Sequence, residues 1–151
     1  MPLRYEIDDE HRVVIMTGHG VVTDTEVFEY KQSVWSLPRV TGYDELVDMT
    51  GVERVDVPST ERLRELARLS AAMDVQTPSR LAIVADDPVT FGIARMYELF
   101  RRLDRRSTKT LSVFRTVDEA LEWLKPRRSS RKRRSGAANH ALGKPDSGGE
   151  H

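Results

Sequence analysis

The chain has 151 residues, with 24 Lys plus Arg balancing 24 Asp plus Glu and no cysteine. That length accommodates one core of ordinary size, and the missing thiols exclude a disulfide framework, a thiol nucleophile and any thiolate metal site. The opening Met1-Pro2-Leu3-Arg4-Tyr5-Glu6 carries no basic-then-apolar signal, and apolar runs such as 81–85 are too short to span a bilayer, so a cytoplasmic protein is expected.

Leu3 to Ile7 and Arg12 to Met16 read as an antiparallel hairpin joined by Asp8-Asp9-Glu10-His11. Gly18 and Gly20 break the second run, so Gly18-His19-Gly20 reads as a turn, and it lacks the third glycine of a dinucleotide fingerprint. Thr23 and Glu26 have capping-box spacing, which starts a helix with Val27, Tyr30, Val34 and Leu37 on one face and Pro38 as its stop. Glu45 to Met49 reads as a strand, Thr50-Gly51 as a turn and Val52 to Val57 as an irregular crossing. From Thr60 to Asp74 the set Leu63, Leu66, Ser70 and Met73 repeats at helical spacing.

Arg80 to Ala85 contains Leu81-Ala82-Ile83-Val84, the pattern of a strand covered on both faces. Asp87 as N-cap and Pro88 at the first helical position open a helix running to about Arg105. Thr110 to Arg115 is the last strand, and Thr116 with Glu119 caps a short helix that buries Ala120, Leu121 and Leu124. The order is ββαβαβαβα, an α/β domain over residues 1–125 with a mostly parallel mixed sheet and an opening antiparallel hairpin. Residues 126–151 hold Leu142 as their one large apolar side chain and are expected to form a disordered basic tail. Charge is divided accordingly: seven basic against two acidic residues give the tail +5 and leave −5 for 1–125, so the folded part is not composed as a nucleic-acid-binding module.

At Leu46-Val47-Asp48-Met49-Thr50-Gly51-Val52-Glu53-Arg54-Val55-Asp56 the chain resembles the central signature of STAS domains, the SpoIIAA-like fold of anti-sigma-factor antagonists. Ala82 to Ala85, Phe91 to Leu99, and Val113 to Arg115 with Glu119 to Leu124 look like the uncharacterised bacterial STAS/CRAL-TRIO-like branch of that fold. The resemblance spans residues 3–125 and implies a SpoIIAA-like single domain that serves as a non-catalytic interaction or regulatory module for a protein partner. A homodimer is a further candidate assembly. The CRAL-TRIO side implies the alternative, a carrier of a small apolar ligand or lipid. The antagonists follow the aspartate with two serines and a glycine, the second serine being the phosphoacceptor. Here Asp56 precedes Val57-Pro58-Ser59-Thr60, so proline stands at the acceptor position and the phosphoswitch does not carry over.

Ser59 and Thr60 at a helix N-terminus are candidate phosphoacceptors, although one of them is required as the cap. Asp48, Asp56, Asp86 and Asp87 fall near strand ends, where a Mg²⁺ or phosphoryl-transfer site would form. Asp87 is needed as a cap, however, and Asp48 and Asp56 match positions that the resemblance places in metal-free members. His11 and His19 lack zinc or general-base spacing, so no catalytic residue, metal or cofactor is expected.

In the helix from Pro88, the residues Val89, Ile93, Met96, Tyr97, Leu99, Phe100 and Leu103 cover an arc of roughly 160° and are expected to be buried. Phe91 falls opposite, among Arg95, Glu98 and Arg102, and is expected to be an accessible anchor for a partner or acyl chain, with Arg95 and Arg102 framing it. Phe28 and Trp35, flanking Lys31, form a second candidate patch. In the tail, Arg127, Arg128, Arg131, Lys132, Arg133 and Arg134 predict a solvated segment or weak contact with polyanions or an anionic membrane.

Overall fold

A computed structural model describes residues 2–74 and 77–126. The chain forms β1 (Leu3–Asp8), β2 (Val13–Thr23), α1 (Asp24–Val34), β3 (Asp44–Asp56), α2 (Thr60–Met73), β4 (Ser79–Val84), α3 (Pro88–Leu103), β5 (Lys109–Phe114) and α4 (Val117–Leu124). The strands lie side by side in sequence order. β1 pairs with β2 antiparallel and every later pair is parallel, so each crossover returns over the sheet through a helix.

Period-two alternation divides the sheet residues between two faces. Val47, Met49, Leu81, Ile83, Leu111 and Val113 join the larger core, with Tyr30 and Val34 of α1, Leu63 and Leu66 of α2, and Ala94 and Tyr97 of α3. Leu46, Ala82, Val84 and Phe114 form a smaller core with Ala120 and Trp123 of α4 on the other face. The helix starts follow their caps: Thr23 and Glu26 form a reciprocal capping box, while Ser59, Asp87 and Thr116 each accept a backbone N–H of the first turn.

Two sequence expectations are corrected in the central strands. Gly18-His19-Gly20 is not a turn: β2 runs through it to Thr23, with register shifts against β3 between Thr17 and His19 and between Gly20 and Val21. A Cβ on Gly18 would lie 2.8 Å from the Val52 side chain, so glycine is there for close approach of two strands. Nor is Thr50-Gly51 a turn, because β3 continues to Asp56. The Asp48 carboxylate accepts from the Thr50 N–H (3.0 Å) and hydroxyl (2.7 Å). Pro38 opens a short 3-10 turn, Pro38–Val40, rather than directly ending α1, and Leu37 is exposed beyond the helix.

Candidate functional site

The buried side of α3 is not its apolar side. Thr90, Ala94, Tyr97, Glu98 and Arg101 face the protein, whereas Val89 is 70%, Leu103 71%, Leu99 50% and Met96 39% exposed. Arg101 supplies the physical reason. Its guanidinium is fully buried, with Nη2 2.7 and 2.9 Å from the two oxygens of Asp74 at the end of α2. Its Nη1 donates to the Tyr97 hydroxyl (2.9 Å) and its Nε to Ser107 Oγ (3.3 Å). Burial alone would lower the arginine's pKa, but Tyr97 and Asp74 raise it. This anchor turns the helix so that an apolar stripe points outward, correcting the expectation that the whole arc is buried.

Phe91 is correspondingly not the open anchor the helical wheel predicts. It is half-buried against the larger core, and the Arg115 guanidinium carbon lies 4.2 Å from its ring centre. Arg95 and Arg102 do not frame it with free charge; they pair with the buried Glu98 at 3.4 and 2.7 Å. Phe28 and Trp35 form no exposed patch either. Phe28 is half-buried, 4.1 Å beneath the guanidinium of Arg62, which itself pairs with Asp24. Trp35 is half-buried, and its indole N–H donates to the Tyr30 hydroxyl (3.1 Å) and to Glu45 (3.2 Å).

Ser59 is exposed and its Oγ accepts the Arg62 N–H at 3.1 Å, while Thr60 is exposed at the first helical position. Asp56 and Asp86 are exposed, and Asp87 caps α3. His11 bonds Asp8 at 2.8 Å. Among the described residues, no group of three or more His, Asp or Glu is placed to hold a metal, and no helix is long and apolar enough to cross a membrane. The basic residues Arg127, Arg128, Arg131, Lys132, Arg133 and Arg134 lie outside the described residues.

At the edge where the parallel strands begin, the fold buries a second group of charges. Glu45, fully buried on β3, accepts from the Tyr30 hydroxyl (2.7 Å) and from the Lys31 ammonium (3.1 Å). Burial would raise its pKa, but Lys31, Lys109 and the Tyr30 hydrogen bond hold it below the ordinary value. Burial and the adjacent carboxylate push the Tyr30 hydroxyl well up. Lys109, at the start of β5, donates to the Tyr43 carbonyl (3.2 Å) and lies 3.9 Å from the centre of the Trp35 ring. Desolvation is the main cause that brings its pKa down to about 8.

This cluster was not named by sequence reasoning, yet a signal for it exists. Glu45 shares the period-two face of Val47 and Met49, and Lys31 falls beside Tyr30 on the inner face of α1.

Two cavities adjoin these elements. One, of about 90 Å³, lies between the sheet and helices α1–α3 and is walled by Met16, Val47, Met49, Leu63, Ile83 and Ile93 among others. The other, of about 30 Å³, lies at the strand-start edge beside Lys109 and Trp35.

No family model matches the sequence, and no curated protein matches it. A similar solved structure is that of an uncharacterised protein of the DUF3478 family with a SpoIIAA-like fold from Shewanella loihica PV-4. It has a TM-score of 0.53 and 15% sequence identity, over 82% of this chain and 93% of that one. Identity at that level carries the fold alone. The opening antiparallel hairpin, the parallel run in sequence order and the helices on both faces identify the architecture of this chain as the SpoIIAA-like fold.

Proposed function

We propose that the chain is a non-catalytic interaction module that docks through the outward face of α3, and that the occupant of this face is a second copy of the same chain. The observation that carries the reading is the exposed stripe Val89, Met96, Leu99 and Leu103, since contiguous apolar surface on a folded domain marks a contact site. Its spacing supports a self-complementary contact. Val89 and Leu103, the two most exposed members, each stand seven residues from Met96.

A two-fold axis through Met96 would therefore lay α3 against an antiparallel α3, with Val89 on Leu103 and the two Met96 side chains meeting at the axis. A Cβ on Gly92, one turn before Met96, would meet nothing within 4 Å, so the surface beside the axis is open to close approach. Arg95 and Arg102 at the rim share Glu98, which partly balances their charge. One helix pair about 24 Å long offers less than the ~800 Å² per partner of a standard interface, so the dimer is expected to be reversible.

Sedimentation velocity across a concentration series should show a monomer–dimer equilibrium, and Leu99→Lys should weaken it by about tenfold or more, because a charge would enter an apolar contact. Leu99→Lys should leave the melting temperature nearly unchanged, since the residue is half exposed. A monomer at every concentration, or a dimer indifferent to Leu99→Lys, rejects the reading.

The larger cavity favours a second reading, a small apolar ligand. An apolar cavity of about 150 Å³ accommodates a benzene ring, so one of about 90 Å³ takes a smaller group or the end of an alkyl chain. Native mass spectrometry of protein purified from cells should then show an added mass that denaturation releases. A bare polypeptide mass would reject the carrier reading.

A further inference from the structure

We propose that the cavity at the strand-start edge, between Lys109 of β5, Trp35 after α1 and Ser70 of α2, is a binding site for the carboxylate group of a small organic acid. It is a separate site from the α3 face and does not depend on how that face is occupied. Lys31, Trp35, Ser70, Asp74, Thr77 and Lys109 are among its walls.

The charges around it do not balance. Three cations, Lys31, Arg101 and Lys109, are gathered with two carboxylates, Glu45 and Asp74. Lys31 is paired with Glu45 at 3.1 Å and Arg101 with Asp74 at 2.7 Å. Lys109 is left over: among the described residues its ammonium has no carboxylate oxygen within 4.0 Å, and it is held by one carbonyl and the face of Trp35. A desolvated ammonium without a counter-ion is strongly penalised, and an anion in the cavity would remove that penalty.

Ser70 of α2 lines the same cavity. Its hydroxyl is buried, the residue being 3% exposed. Among the described residues its Oγ is the buried side-chain polar atom with no hydrogen-bond partner. A buried hydroxyl without a partner is unusual enough to require a reason, and a bound acceptor supplies one. Asp74, which also lines the cavity, does not compete. Its two oxygens already accept from Arg101, Ser107 Oγ (3.1 Å) and the Thr108 N–H (3.0 Å).

Size selects the class of anion. A water needs roughly 10–15 Å³ measured in this way, so about 30 Å³ holds two water-sized atoms, the two oxygens of a carboxylate. A phosphate, with four oxygens, would have to stand partly outside this space. Trp35, Val40 and Met73 give an apolar shoulder for a short carbon chain.

Occupancy requires Lys109 to be charged. Glu45 and Asp74 favour the charged form, whereas desolvation, Lys31 and Arg101 oppose it, leaving the pKa at about 8. Affinity should therefore be highest near neutral pH, where ammonium and carboxylate are both charged, and should fall as the pH rises through about 8.

The test is a titration of the full-length protein with sodium acetate, matched by sodium chloride and sodium phosphate at equal ionic strength, reading the indole N–H of Trp35 by NMR. Acetate should give a saturable shift that weakens as the pH rises through about 8. In Lys109→Met, whose side chain replaces the aliphatic stem without the charge, acetate affinity should fall by about tenfold or more, the usual worth of a charged hydrogen bond. Ser70→Ala should weaken acetate binding as well, which keeps the test decisive if Lys109→Met fails to fold. The proposal is overturned by a linear response to acetate, by chloride or phosphate curves that match acetate, or by unchanged affinity in the folded variants.

Discussion

Replacing Glu45 with alanine is expected to cost the domain about 3–5 kcal/mol of folding stability, the usual loss when one partner of a buried ion pair is removed. Glu45 is fully buried and is the shared acceptor for the Tyr30 hydroxyl, the Lys31 ammonium and the Trp35 indole N–H. Without it, Lys31 becomes a buried cation with no counter-ion, and Lys109 loses the carboxylate that most favours its charged form. Removing both charges is a different experiment. Glu45→Leu combined with Lys31→Met replaces the pair by apolar groups of similar volume and should recover most of the loss. Urea denaturation of the three proteins measures this. A single-variant loss below about 1 kcal/mol would mean that the pair is hydrated, because exposed pairs contribute no more than that.

The parts of this fold legible in the sequence are those fixed by neighbours in the chain. Thr23, Ser59, Asp87 and Thr116 are caps whose donors lie within three residues, and each stands at a helix start that the sequence predicts. The apolar run Leu81 to Val84 predicts a strand covered on both faces, and these residues are buried. The misreadings arise where the deciding contact is distant. Gly18 resembles a turn residue until Val52 on the neighbouring strand is known to lie against it.

The candidate site was harder still. A helical wheel ranks the faces of α3 by hydropathy, and by that measure Phe91 lies on the outer side. The actual orientation is set by Asp74, 27 residues before Arg101, and by Ser107 across the following loop. Phe28 and Trp35 read as a surface patch because they flank Lys31, a residue type that ordinarily faces water. Its partner Glu45, 14 residues on, draws it inward.

Arg101→Met should therefore have two effects, one on stability and one on the surface. The fully buried guanidinium serves Asp74, Tyr97 and Ser107 together, so its removal leaves the Asp74 carboxylate buried without its counter-ion and should cost about 3–5 kcal/mol. Arg101→Lys should also be destabilising, since one ammonium cannot reproduce the planar fork that reaches both Asp74 and Tyr97. The second effect follows from the anchor. With Arg101 gone, the inner face of α3 loses its ion pair to Asp74 and keeps only Thr90, Tyr97 and Glu98 as polar members, so rotation of its apolar residues toward the core is less opposed and Met96 and Leu99 should lose solvent accessibility. Denaturant titration measures the first effect, and solvent-accessibility labelling of Met96 by mild oxidation measures the second. If Arg101→Met folds with a loss below about 1 kcal/mol and Met96 oxidises at the original rate, the ion pair does not set the orientation of α3. The outward stripe would then need another cause.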